Sequence, residues 1–307
     1  MALKVIRPGM LTTVQDLGRW GYQSGGVPVA GPMDSYSHAR ANRLVGNPAG
    51  ASALEITLIG PELEADAETV CALAGASFAV TVDGQPADMC RPCVVPRGAR
   101  IRFGDRLAGA RAAFAVRGGF DVAVVFGSRA TSVAARVGPF GGRALRAGDV
   151  LQTGPIPPDA PLPAPRALPL PDGGARVRIM RGPHEGRFLP DAFPTLTGSR
   201  FVLTMESNRM GYRLAGPSLL HLDDGEVLSG ATPIGSLQVP ASGQPILLMA
   251  DRQTTGGYPR IATVITADLP IAGQLAPGDW IEFTECTREH AIDALRRQRA
   301  ELSGDDR

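Results

Sequence analysis

Between an apolar run over residues 246–250 and another beginning at Ile261, the chain reads Asp251-Arg252-Gln253-Thr254-Thr255-Gly256-Gly257-Tyr258-Pro259. An acid, a guanidinium, an amide, two hydroxyls and a phenol surround a glycine pair, more hydrogen-bonding capacity than a turn between strands requires. Glycines without Cβ let backbone amides approach a ligand closely. Held between two core strands, the loop reads as part of a binding site. Asp251 and Arg252 supply its charge, and Gln253, Thr254, Thr255, Gly256, Gly257 and Tyr258 supply its hydrogen-bonding surface.

Two other polar, glycine-punctuated segments carry comparable chemistry. Thr12-Thr13-Val14-Gln15-Asp16-Leu17-Gly18-Arg19-Trp20-Gly21-Tyr22 offers Gln15, Asp16 and Arg19 to a cleft. The alternative is a turn stabilised by Asp16 and Arg19 that packs Trp20 and Tyr22 onto the core. In Glu206-Ser207-Asn208-Arg209-Met210-Gly211-Tyr212-Arg213-Leu214, either arginine suits bidentate grip of a carboxylate or phosphate. Its alternative is a salt bridge to Glu206 or Asp251. Gln238, in Gly235-Ser236-Leu237-Gln238-Val239-Pro240, is a further candidate ligand-binding amide.

The elements that must position these residues are short strands. Thirty-eight glycines and 27 prolines punctuate brief β-type runs at 70–74, 78–82, 100–103 and 112–116. Asp83-Gly84 marks a hairpin turn. The pattern predicts a mainly β protein, barrel or sandwich, with a few short helices. Asp34 predicts an N-cap for a helix over 35–45, stopped at Gly46-Asn47-Pro48, and Thr287 one for a helix over 288–302. A proline-rich connector at 154–174 separates a first half, 1–153, from a second, 175–286, with the helix and tail at 287–307. The halves begin alike, at Lys4-Val5-Ile6-Arg7-Pro8-Gly9 and Arg178-Ile179-Met180-Arg181-Gly182-Pro183, and each ends in a Gly-Asp turn, Gly148-Asp149 and Gly278-Asp279, suggesting duplication.

Composition narrows the chemistry. Net charge is +1, which recruits neither nucleic acid nor an anionic membrane surface. Lys4 is the sole lysine, which excludes a Schiff-base lysine, a phosphate-loop lysine and a biotinylated lysine. Four cysteines form no disulfide framework, and the lone Cys90-Arg91-Pro92-Cys93 lacks a second ligand pair, so ordinary reduced thiols are expected. His38, His184, His221 and His290 have no partner at metal-ligand spacing, so no metal site is expected. No GxSxG elbow, phosphate loop or dinucleotide fingerprint is present. The N-terminal residues do not resemble a signal peptide and no apolar stretch approaches a membrane span, so a cytoplasmic protein is expected.

The same segments, in this order, resemble the family variously named allophanate hydrolase subunit 2 or biotin-dependent carboxyltransferase family protein, which includes a subunit of 5-oxoprolinase. The resemblance runs from Ile6 to Phe283 and rests on Thr12-Thr13-Val14-Gln15-Asp16-Leu17-Gly18-Arg19, Gly31-Pro32-Met33-Asp34, Ala41-Asn42-Arg43-Leu44-Val45-Gly46-Asn47, Asn208-Arg209-Met210-Gly211-Tyr212-Arg213-Leu214, Gln238-Val239-Pro240 and the 251–259 loop. It implies two cyclophilin-like β-barrels, a small cyclophilin-like partner subunit, and a third, lactam-handling subunit in an ATP-dependent 5-oxoprolinase that opens 5-oxoproline to glutamate. It also implies two alternatives. One is the carboxyltransferase part of a biotin-dependent urea carboxylase, with biotin carried by another chain. The other is a non-enzymatic antagonist of a sensor-kinase inhibitor. The hydrolase name cannot be literal, because a Ser-Ser-Lys amidase set is impossible with Lys4 as the only lysine. For a lactam opened through phosphorylation by ATP, Arg209, Arg213 and Arg252 are the candidate charge stabilisers and Asp251 or Asp16 the proton acceptor. Gln238, Gln253, Thr254 and Tyr258 would position the ring amide.

Overall fold

The computed structural model describes residues 1–88, 90–156, 169–223 and 225–303. Most of the proline-rich connector, residues 157–168, lies outside them. Two compact units form: Met1–Trp20 with Val29–Leu170, and Gly21–Pro28 with Pro171–Arg307. The mainly β expectation holds in both.

The first unit is a nine-stranded sheet curled into a half-barrel. Its strands are β1 (Ala2–Arg7), β2 (Leu11–Gln15), β3 (Ala53–Thr57), β4 (Glu62–Ala65), β5 (Thr69–Val82), β6 (Gln85–Pro86), β7 (Cys93–Val95), β8 (Arg100–Val116) and β9 (Val150–Gln152). The main path runs β2-β3-β8-β4-β1-β9, and β5 pairs with β6, β7 and β8. The runs expected at 70–74 and 78–82 are one strand, as are those at 100–103 and 112–116. Gly75 (φ 90°) lies where the β5–β8 register shifts, so the glycine makes a bulge where a strand end was expected. Asp83 (φ 48°) and Gly84 (φ 79°) form the expected turn, both left-handed. Leu3, Leu54, Ile56, Leu63, Ile101 and Phe114 fill the core on one side of the sheet. The helix Ser35–Leu44 begins as predicted, with Asp34 accepting from Ser37 N at 2.8 Å, and packs Ala41 and Leu44 into a separate alanine-rich cluster.

The second unit is a closed barrel of β10 (Gly174–Arg181), β11 (Arg200–Leu203), β12 (Gly211–Ala215), β14 (Ser236–Gln238), β15 (Ile246–Leu248), β17 (Arg260–Val264) and β18 (Trp280–Glu285), in the order β10-β17-β14-β15-β12-β11-β18. Beside it, β13 (Gly230–Ala231) and β16 (Thr255–Gly256) form a two-stranded ribbon. Closure comes from β10 and β18, which pair in parallel, whereas β1 and β9 of the first unit pair antiparallel. The repeated Gly-Asp turns fold alike. Gly148 and Gly278 have φ of 90° and 93°, and the Asp149 and Asp279 carboxylates accept from Arg146 N at 2.7 Å and Ala276 N at 2.8 Å. The C-terminal helix Arg288–Ser303 is capped by Thr287, whose hydroxyl accepts from His290 N at 3.3 Å.

Candidate functional site

Gln15, Asp16 and Arg19 belong to the first unit, and there they organise the segment over 125–131. Asp16 accepts from Gly18 N at 2.9 Å, Ser128 Oγ at 2.5 Å and Arg129 N at 2.6 Å. Arg19 is buried and donates to the carbonyls of Val125 and Ala130. Gln15, also buried, donates from Nε2 to Thr13 Oγ1 and Thr131 O, both at 2.9 Å. This is the turn reading of the segment with one correction: Trp20 and Tyr22 do not pack into a core. Trp20 is 60% exposed, with its indole N–H donating to Leu17 O at 3.0 Å.

The other candidates belong to the second unit. Leaving β15, the chain turns at Met249 and Ala250, and Arg252 N donates to Met249 O at 3.2 Å. The Arg252 side chain folds back, donating from Nε to Thr232 O at 2.7 Å and from an Nη to Met249 O at 3.4 Å. It is buried, and among the described residues no carboxylate lies within ion-pair distance of it. Burial therefore holds its guanidinium below the ordinary arginine value. A buried cation satisfied only by carbonyls is a site that favours an anion.

Next to it stand two carboxamides. Gln238 Nε2 donates to Tyr258 O at 3.4 Å, which orients the amide and turns its Oε1 toward Gln253. Gln253 Nε2 donates to that oxygen at 3.2 Å. Gln253 Oε1 has no hydrogen bond among the described residues, and its second amide hydrogen is also uncommitted. A carboxamide edge of this kind presents one acceptor beside one donor. Gly256 makes room for the pair: a Cβ there would lie 2.7 Å from Gln238 Nε2 and 3.2 Å from Gln253 Nε2. Thr254 O and Gly257 O accept from Thr232 N and Val227 N, so this backbone braces the β13–β16 ribbon. The Tyr258 ring is half exposed.

Thr232 was not among the residues expected from sequence. Its carbonyl holds Arg252, and its hydroxyl donates to Gln253 O. In Ala231-Thr232-Pro233 nothing but turn chemistry is visible, so no signal distinguished it.

Both salt-bridge alternatives are realised. Arg209 reaches Asp251 through Nε at 3.0 Å and Nη2 at 3.1 Å, with both residues buried. Arg213 pairs with Glu206 at 3.2 Å on the surface. The barrel thus joins Gln238, Gln253, Gly256, Tyr258 and Arg252 into one polar cluster, with Asp251 and Arg209 supporting the loop's entry. Arg213 stands apart from it. Among the described residues no group of three or more His, Cys, Asp or Glu is placed to hold a metal ion, and no helix is long and apolar enough to cross a membrane.

A closed barrel with a carboxamide and guanidinium cluster on the loop after one strand has clear relatives. Residues 25–285 match the family described as carboxyltransferase domain, subdomain A and B, and the chain belongs to that family. It is 39% identical over 296 residues to a 5-oxoprolinase subunit of Escherichia coli (strain K12), a match that spans 96% of this chain and 95% of that protein. It is 35% identical over 327 residues to urea amidolyase of Lachancea kluyveri, spanning 98% of this chain and 18% of that protein. The crystal structure of the K. lactis urea amidolyase matches with a TM-score of 0.91 at 32% identity, over 99% of this chain and 20% of that one. The chain therefore spans nearly the whole of the oxoprolinase subunit and about a fifth of the urea amidolyases.

Proposed function

We propose that this protein is a subunit of an ATP-dependent 5-oxoprolinase, acting with a small cyclophilin-like subunit and a third, lactam-handling subunit to open 5-oxoproline to glutamate. The observation that carries the reading is the uncommitted carboxamide edge of Gln253 on the loop that also carries Arg252, a buried guanidinium with no carboxylate partner among the described residues. A lactam is a cis amide, with its C=O and N–H on one side, and that edge is the complement of a carboxamide. The near full-length match to an oxoprolinase subunit supports the same choice.

In this reading Gln253, held by Gln238, aligns the ring amide. Arg252 stabilises the negative charge that develops as the γ-phosphoryl group of ATP passes to the lactam oxygen. Water then adds to the activated carbon, the ring C–N bond breaks and the nitrogen takes a proton, leaving an acyl phosphate that a second water hydrolyses to glutamate and phosphate. Asp251 and Arg209 serve by fixing the loop. Arg252→Ala in the reconstituted complex is expected to lower 5-oxoproline-dependent ATP cleavage by about 100-fold or more. Its melting temperature should stay within a few degrees of the wild-type value, about what a 1 kcal/mol change produces. Unchanged turnover overturns the role given to Arg252.

A second reading is carboxyl transfer to urea or another amide, favoured by the fit to the urea amidolyase structure. Urea also presents an amide edge, and Arg252 would hold the carboxylate being moved. Biotin would be carried by another chain, since Lys4 is the only lysine. ATP cleavage that depends on urea and on an added biotin carboxylase, and ignores 5-oxoproline, would decide for this reading.

A further inference from the structure

Arg213 lies outside the polar cluster, yet the barrel places it in line with Gln238. Across three adjacent strands, Gln238 of β14, Ile246 of β15 and Arg213 of β12 are direct register partners. The neighbouring row, Leu237, Leu247 and Tyr212, is fully buried. Side chains alternate along each strand, so Gln238, Ile246 and Arg213 share the other face, and the outer two are about 10 Å apart. Over this face lies a groove of about 420 Å³ with an apolar floor that includes Pro240, Pro245 and Ile246. Arg213, Thr204 and Ser242 give it polar walls. The Thr204 hydroxyl is buried without a hydrogen-bond partner among the described residues.

Arg213 is held by Glu206 alone among the carboxylates of the described residues, in a pair whose side chains are 55% and 74% exposed. Exposed pairs of this kind contribute about 0–1 kcal/mol, so an incoming anion can exchange for Glu206. We propose that this groove is a second ligand subsite, taking an organic anion with its charged group on Arg213 and its apolar body on Pro240, Pro245 and Ile246. Its size is in the range of small-molecule sites. A nucleoside phosphate and a small ring carboxylate share the required chemistry. The inference rests on the preceding functional reading only for the choice of probes.

Isothermal titration of the full chain with ADP, and separately with 5-oxoproline, tests it. The probe that binds identifies the source of the anion as phosphate or carboxylate. Arg213→Gln is expected to weaken that binding at least tenfold, and Ser242→Trp, which fills the groove, to abolish it. Glu206→Gln removes the competing carboxylate and should tighten binding several-fold, a gain that misfolding would not produce. Binding of neither probe, or affinities unchanged across the three variants, overturns the proposal. Affinity that falls with Arg252→Ala but not with Arg213→Gln places the anion on the 251–259 loop, overturning the groove while leaving the function reading intact. Groove binding that persists in a complex without lactam turnover would do the reverse.

Discussion

Arg209 and Asp251 are joined twice: by two hydrogen bonds between their side chains, and by the Asp251 amide donating to the Arg209 carbonyl at 2.8 Å. The loop that carries Arg252 and Gln253 is therefore tied at its first residue to the bend that leads into β12. Breaking one side of a buried pair leaves an uncompensated charge. Asp251→Leu and Arg209→Met are each expected to cost about 3–5 kcal/mol of stability. The double variant Arg209→Met with Asp251→Leu should recover much of that loss. Urea unfolding of the four proteins gives the coupling, and additive losses would show that the pair does not act as a unit.

Gly256 tests the site rather than the fold. Its backbone is not left-handed, so Gly256→Ala is opposed by its neighbours alone, the two carboxamides and the Thr232 methyl group, with Gln238 Nε2 the nearest at 2.7 Å. Displacing them by a few tenths of an ångström or more should reduce kcat/KM of the complex by about 10–100-fold, since small misplacements of positioning groups have effects of that size. Unfolding stability should change little. Wild-type kinetics in this variant would detach the carboxamide pair from catalysis.

Asp16 supports a different segment. Asp16→Ala leaves Gly18 N, Ser128 Oγ and Arg129 N without their acceptor, at about 1–3 kcal/mol for each group that stays buried and unpaired. Amide exchange should quicken at residues 18 and 128–131 while the barrel of the second unit keeps its protection. Exchange unchanged over 128–131 would mean that other contacts hold the segment.

His38 gives the first unit an acid-sensitive element. It is buried on the helix Ser35–Leu44, 3.3 Å from Asn42 Nδ2, and burial outweighs the charges of Asp16 and Glu55, pushing its pKa down to about 4. The unfolded chain binds this proton near the ordinary value of 6.5 and the folded chain does not. Its contribution is thus fully present above pH 6.5 and is lost as pH falls toward 4, on the order of 3 kcal/mol in all. His38→Gln should flatten the stability profile between those values. An unchanged slope would exclude His38 as its source.

Local chemistry made much of this legible in advance. Asp34 and Thr287 mark helix starts because a side-chain oxygen must meet free amides there, and Asp83-Gly84 marks a turn because both residues are left-handed. Gly75 misled for the opposite reason: a glycine that permits a bulge looks in sequence like one that ends a strand. The 251–259 loop was visible through its excess of polar groups. Thr232 was not, since its part depends on a carbonyl that any residue could offer and on a ribbon pairing distant in sequence. Nor does a four-residue spacing reveal that Arg209 turns toward Asp251 while Arg213 stands on the outer barrel face. That division arises because Arg209 lies in the bend before β12 whereas Arg213 lies on the strand itself, a boundary that only the structure shows.

The parallel pairing of β10 with β18 has a consequence for how the second unit is made. Residues joined across that seam, such as Arg176 and Glu282, are 106 positions apart. No local hairpin can close the barrel, so closure waits until nearly the whole unit has left the ribosome, and loop-closure entropy places it late and slow. Until then β10 and β11 each expose an open edge, the state in which strands recruit neighbouring chains. A chain truncated before Trp280 should accumulate as aggregates, and the last strand is in effect the latch of the fold.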